Sequence, residues 1–231
     1  MSIQGIQNTA RSLSLYLRMQ EVAANNLANT NTDAFKADRV TAHQLPGYAH
    51  PVPVGSTDLQ QGTFRETGRP LDLSLSGSGF LVVRTEGGER FFRGGSLRLD
   101  PQGRLTDAHG SPVLGLDGPI VIHGGLVEVQ GDGTVRVDGA EAGRLRIETV
   151  DDPGLLRKEG VGRFVPGGPT RPLPDPGATK IRQGSIEEAN VDAVLSMVDL
   201  VAIQRAYSAN VDALKAMDSM LGTITNEVGK V

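Results

Sequence analysis

Hydrophobic positions recur along this chain at two different periods. Near the start, Ile6, Ala10, Leu13, Leu17, Gln20, Ala24 and Leu27 follow one another at alternating spacings of four and three. That spacing draws a narrow helical stripe, the geometry of a coiled-coil seam rather than of a broad globular face. The last segment repeats it at greater length. Leu200, Ile203, Tyr207, Asn210, Leu214, Met217, Leu221, Ile224 and Val228 keep the rhythm without a break. Glu187, Glu188 and Asp192 precede them as an acidic first turn, which a helix dipole favours. A helix over 191–228 would be roughly 55 Å long at 1.5 Å per residue. Ser196 and Asn210 put polar groups into the seam, and a buried asparagine at such a position can fix register.

Between these ends the period falls to two. LDLSLSG, GFLVVRT, RFFRG, SLRLDPQGRLTD, PIVIHG, LVEVQGDGTVRVDG and GRLRIETV are short alternating or apolar runs. Turn signals separate them, among them Glu86-Gly87-Gly88, Asp100-Pro101-Gln102-Gly103 and Gly131-Asp132-Gly133. This is the signature of successive β-hairpins. The stretch GVGRFVPGGPTRPLPDPGATK is rich in proline and glycine and reads as a loop or extended return. Residues 35–70 hold no clear helix and only a weak strand pattern. The expected fold is therefore α+β. Long N- and C-terminal helices form a coiled-coil-like layer (1–34 plus 185–231), a connector spans 35–70, and an antiparallel all-β domain (71–184) is inserted.

Composition narrows the function. The 231 residues carry a net charge of −4, so no basic field points to nucleic acid, and 30 glycines with no tryptophan suit a turn-rich β domain. Cysteine is absent, which removes disulfides, zinc–thiolate sites and thiol nucleophiles. No apolar run approaches the roughly 20 residues of a membrane span. The opening MSIQGIQNTARSLSLYLRM lacks the basic start and apolar block of a secretory signal, so any export is expected to use no cleavable signal.

Candidate chemistry is sparse. His43, His50, His109 and His123 are scattered and form no HExxH spacing. Gly77-Ser78-Gly79 lacks the GxSxG spacing, GDGTVRVDG lacks a full calcium loop, and no phosphate-binding glycine motif occurs. The adjacent pairs Asp151–Asp152 and Glu187–Glu188 read as a solvated loop and a solvated helix start. No catalytic, cofactor or metal site is expected, and the chain is not expected to be an enzyme.

The terminal seams carry more weight. An intramolecular helical hairpin is one reading of them. The other is an interface between molecules, because two long narrow helices and one small β domain cannot cover both flanks of each helix. That interface would use Ile6, Leu13, Leu17, Leu27, Leu200, Ile203, Tyr207, Asn210, Leu214, Met217, Leu221 and Ile224. Ala193, Ala202, Ala206, Ala209, Ala213 and Ala216 lie off the seam and allow close helix approach. Asparagine is a poor helix-interior residue, yet AANNLANTNTDAFK spends four. The amides of Asn25, Asn26 and Asn29 are expected to bond across subunits.

Three stretches resemble one known family. ANNLANTNTDAFKADRV is similar to the N-terminal signature of the axial proteins of the bacterial flagellum, the basal-body rod and hook group. RPLDLSLSGSGFLVV followed by RFFRGGSLRLDPQGRLTDAHGSPVLG resembles the start of that group's β domain. QGSIEEANVDAVLSMVDLVAIQRAYSANVDALKAMDSM resembles its C-terminal helix. GRPLDLSLSGSGFLVV, GPIVI and GRLRIETV look most like proximal-rod members, while QRAY looks more like distal-rod or hook members.

The resemblance implies a structural subunit. It would pass unfolded through the flagellar type III export apparatus and assemble helically in the periplasmic rod of the basal body. There it would transmit torque from motor to hook. The implied partners are copies of itself and other rod proteins, with no nucleic acid, membrane insertion or small-molecule substrate. A distal-rod or hook-type protein is the near alternative. A β-rich module binding wall polysaccharide, with helical ends for oligomerisation, is the alternative of a different class. Its lack of tryptophan, with only Tyr48 in the connector before the β region, argues against an aromatic binding platform.

Overall fold

The computed structural model describes residues 3–43, 52–160, 162–173 and 179–228. The side chains of Ile3, Gln4, Ile6, Leu221 and residues 223–228 lie outside the description, as do Tyr48 and His50. The chain forms two units. One comprises Met1–Ala28, Asp38–Ser56 and Asp192–Val231, the other Asn29–Ala37 and Thr57–Val191.

The first unit is built on two helices, α1 (Ile3–Ala28) and α2 (Ala193–Val228), which pack against each other. Helix α2 begins where Asp192 caps it: Oδ1 accepts from the backbone N–H of Val194 at 2.8 Å and of Leu195 at 3.0 Å, satisfying donors the first turn leaves free. Helix α1 stops before the Asn-Thr-Asn-Thr run, where the Thr32 N–H turns back to the Asn29 carbonyl at 3.1 Å. A two-stranded sheet, Asp38–His43 with Val52–Thr57, completes this unit, and its first strand lies against α1.

The second unit is antiparallel β. Its largest sheet has six strands in the order Arg157–Glu159, Arg163–Val165, Gly88–Phe92, Phe80–Thr85, Ile147–Val150, Thr170–Pro172. The alternation of side chains along the two central strands explains their apolar runs. Leu81, Val83 and Phe92 enter one core, with Leu73, Leu75, Leu105, Val113, Val135 and Ile181. Phe80, Val82 and Phe91 enter a second, with Leu114, Val150, Leu156 and Phe164. A strand buried on both faces has no polar side to show, which is why FLVV and FF read as continuous rather than alternating. Hairpin turns fall at Glu86-Gly87, at Asp100 to Gly103 and at Gly131 to Gly133, between strands that pair in register.

A second sheet of three strands, Lys180–Gln183, Asp72–Ser76 and Gly94–Ser96, depends on one glycine. Gly94 has φ +104°, and a Cβ there would sit 2.3 Å from the Leu73 carbonyl oxygen. Gly94→Ala is expected to destabilise this unit by about 2–3 kcal/mol, from backbone strain and the forced separation of two paired strands. Urea unfolding of the variant against the parent checks this, and a loss below half a kcal/mol would contradict it.

The stretch 35–70 differs from expectation. Its described residues form three strands, Asp38–His43, Val52–Thr57 and Phe64–Glu66. The last pairs with Ser185–Glu187, more than a hundred residues later. Pairing with a distant partner needs no local alternation, so the sequence pattern there stayed weak.

Candidate functional site

The helical stripe of α2 is half-buried along its length. Leu200, Ile203, Tyr207, Asn210, Leu214 and Met217 all fall on it, together with Ala193 and Ser196. Since α1 is the main element packed on α2, this seam faces α1 within the chain. Asn210 turns its amide to the Ala206 carbonyl at 2.8 Å. Leu221 and Ile224 lie outside the described side chains.

On α1 the stripe is displaced by one residue at alternate positions. Thr9, Leu13, Tyr16, Gln20, Ala23 and Leu27 are the covered ones, while Ala10, Leu17 and Ala24 face outward. Both sets share Leu13, Gln20 and Leu27, so a spacing of three then four and one of four then three begin on the same anchors. Thr9 and Ala23, both small, are the most covered of these. Ile6 lies outside the described side chains.

The seam does not exhaust the apolar surface of α2. Val194 is 70 %, Leu195 62 % and Val198 59 % exposed, and Met197 and Val201 stand beside them. These residues occupy the first two turns and a half, on a face that α1 leaves uncovered. Leu17 of α1 is likewise exposed. Clustered apolar side chains left open on a soluble surface mark an interaction site. Val194, Val198 and Val201 do repeat at four and three, but the series ends at Arg205, so no sustained seam marks the group in the sequence.

Two of the asparagines at the end of α1 bond within the chain. Asn26 presents its amide to the backbone of Asp38, with Oδ1 accepting from the N–H at 2.9 Å and Nδ2 donating to the carbonyl at 2.8 Å. The side chain thus imitates a strand and ties the strand Asp38–His43 to the end of α1. Asn29 Oδ1 accepts from the Thr32 hydroxyl at 3.1 Å. Asn26 and Asn29 therefore find partners inside their own chain, and Asn25 is exposed. Asn26→Ala is expected to lower the stability of the first unit by about 1–2 kcal/mol, the loss of two half-buried hydrogen bonds. Chemical denaturation followed by the helical signal measures it.

In the second unit a buried charge cluster gathers Lys36, Arg93 and Glu187. The Glu187 side chain is fully buried, not a solvated helix start; it belongs to the strand Ser185–Glu187, ahead of the Asp192 cap. Lys36 Nζ lies 2.5 Å from its Oε1, and Arg93 Nε 3.3 Å from its Oε2. The Gly62 N–H also donates to Oε1 at 3.0 Å. Lys36 donates to the Gln60 carbonyl at 2.6 Å, and Arg93 to the carbonyls of Gly79, Leu75 and Gly77. Burial pushes the Lys36 ammonium below its ordinary range, and the hydrogen bond and charge of Glu187 work against that shift. Burial likewise lowers Arg93, with the Glu187 carboxylate opposing. Asn190 closes the cluster: its Oδ1 accepts from Ala37 N–H at 2.7 Å and its Nδ2 donates to the carbonyls of Asp58 and Gln60. Sequence spacing could not reveal this group, since its members come from four separate parts of the chain.

Among the described residues no group of three or more histidines and carboxylates is placed to hold a metal. His43, His109 and His123 are exposed. Asp152 caps a short 3-10 turn by accepting from Gly154 N–H at 2.8 Å. No helix among the described residues is long and apolar enough to cross a membrane.

Two family models match the chain. One, described as the flagellar basal body rod FlgEFG protein C-terminal region, covers residues 182–227. The other, the flagellar hook protein FlgE/F/G D1 domain, covers residues 74–137. They fall on the return strand with α2, and on the hairpins of the β unit. The chain is 30 % identical to the flagellar basal-body rod protein FlgF of Caulobacter vibrioides, covering 93 % of each chain. It is 31 % identical to FlgF of Rhizobium meliloti over 83 % of each, and 29 % identical to FlgF of Escherichia coli over 89 % of this chain and 90 % of that one. Likeness spread over so much of the chain, across both units, shows that this protein belongs to the flagellar basal-body rod protein family, with its likeness to the FlgF, or proximal-rod, members.

Proposed function

We propose that this chain is a structural subunit of the bacterial flagellar basal-body rod, of the proximal type. The terminal helices supply a coiled-coil-like layer shared with copies of the chain and with other rod proteins. The β unit is carried upon it. The chain reaches the periplasm through the flagellar export apparatus and performs no catalysis. Subunits joined by a heterologous contact that does not close on itself extend into a helical assembly, and close-packed interiors pass on strain with little compliance. Torque transmission follows from those two properties.

The observation that carries this reading is the open apolar group at the start of α2: Val194, Leu195, Met197, Val198 and Val201. A lone chain gains nothing by leaving them in water, whereas neighbouring helices would cover them. Within the interface we place these five with Leu17. Leu13, Leu27, Leu200, Ile203, Tyr207, Asn210, Leu214 and Met217 hold the helix pair together behind them. By their spacing in the sequence, Ile6, Leu221 and Ile224 are proposed to belong to the same interface.

The test is location. Antibody raised against the β unit, applied to purified basal bodies, is expected to label the rod at its cell-proximal end. Labelling confined to the hook would move the assignment within the family. Protein found only outside basal bodies would end it. The wall-polysaccharide reading has no observation in its favour, since the FlgF relatives are named as rod proteins.

A further inference from the structure

Residues 29–37 form a strap across the second unit, and its attachments are unusual. Phe35 is buried but belongs to neither apolar core. Polar bonds to the far end of the unit hold the strap instead. Ala34 N–H donates to the Glu187 carbonyl at 2.7 Å, Asn190 N–H to the Phe35 carbonyl at 3.2 Å, and Ala37 N–H to Asn190 Oδ1 at 2.7 Å. Lys158 donates to the Lys36 carbonyl at 2.6 Å, with its ammonium 3.7 Å from the centre of the Phe35 ring.

Docking the strap has two local penalties. Ala34 takes φ +54°, a left-handed conformation unfavourable for alanine. Lys36 places an ammonium where it is fully buried. Only a carboxylate in hydrogen-bond contact makes that burial tolerable. Among the described residues Glu187 is the carboxylate bonded to it, 151 positions along the chain. Arg93 is less dependent, because three backbone carbonyls also receive it.

We propose that the strap 29–37 is a conditional closure: it seats on the second unit only once the returning segment 184–190 is in place, with the Glu187 carboxylate as the condition. A chain lacking that segment would have to bury Lys36 unpaired, and the strap would stay open while the two apolar cores, which use neither Lys36 nor Phe35, still form. The segment that follows α1 and the one that precedes α2 then become ordered together, as the last step in completing the unit. This coupling is a property of the second unit alone and stands apart from the rod assignment.

Hydrogen exchange on the full-length chain tests it. In Glu187→Gln, amides of 29–37 are expected to exchange at least about tenfold faster than in the parent, while those of 80–92 keep their protection, as separately opening segments do. In the double variant Lys36→Met with Glu187→Gln the strap carries no ammonium of its own to bury. Its protection there should return to within about threefold of the parent. Unchanged protection of 29–37 in Glu187→Gln overturns the proposal. Equal acceleration of 29–37 and 80–92, or failure of the variant to fold, also overturns it, since strap and core would then be one cooperative unit. A double variant no better protected than the single one removes the charge from the account and overturns it too.

Discussion

Cells whose only copy of this chain carries Leu195→Asp and Val198→Asp are expected to be non-motile, while the purified variant unfolds within about 1 kcal/mol of the parent. The small stability change follows from exposure. Both side chains stand more than half open at the start of α2, so the substitutions remove little buried area. Aspartate is a poorer helix former by at most about 0.7 kcal/mol per site, and near a helix N-terminus the dipole returns part of that. The large functional change follows from assembly. A carboxylate in a closed apolar interface must lose its hydration without a partner, and a repeating assembly meets that penalty at every subunit. Leu17→Asp, on the outward face of α1, is a second probe of the same kind. Leu214→Asp is a less clean one, because Leu214 is half-buried in the seam and its loss would disturb the helix pair itself. Normal swimming with both exposed sites changed would remove α2 from the interface.

Phe91→Ala is expected to give the largest loss of stability, about 3–5 kcal/mol, as large aromatic truncations in closed cores do. For a unit of this size that corresponds to a melting point lower by roughly 10 °C. Phe91 is 1 % exposed. Its ring stacks on Phe80 with centroids 5.5 Å apart and planes 7° from parallel, and Phe80 meets Phe164 at 5.6 Å. Three rings from three strands thus form the centre of the second core, which has few other large groups. Removing the ring stacked on Phe80 opens a cavity that the β-branched Val82 and Val150 of the same core cannot swing to fill. Thermal unfolding followed by circular dichroism measures the effect. A shift of under 3 °C would mean that the core collapses around the gap.

Both long helices and most of the hairpins were legible in the sequence because each is specified locally. A three–four spacing needs no information from elsewhere, and turns such as Asp100-Pro101-Gln102-Gly103 carry their own backbone preferences. Whatever depends on distant partners was not legible. Phe64–Glu66 is a strand only because Ser185–Glu187 lies beside it. Glu187 looked like the first turn of a helix because acids favour that place. Its role in the fold is set by Lys36 and Arg93, which no local window includes. The bonds of Asn26 to Asp38 and of Asn29 to Thr32 were not legible, since spacing alone does not show which backbone or hydroxyl group an amide meets. On α1 the ambiguity was one of phase. Two stripes share Leu13, Gln20 and Leu27, and only the partner helix decides which intervening residues are covered.

The central strand Phe80–Thr85 feeds two cores from its opposite faces. A single-residue insertion or deletion just before it would therefore exchange the contents of both. Phe80 and Val82 would turn toward the aliphatic chamber, and Leu81 and Val83 toward the aromatic one. Indels should accordingly be tolerated at the hairpin tips and excluded from this strand, and drift in either chamber is constrained by the other.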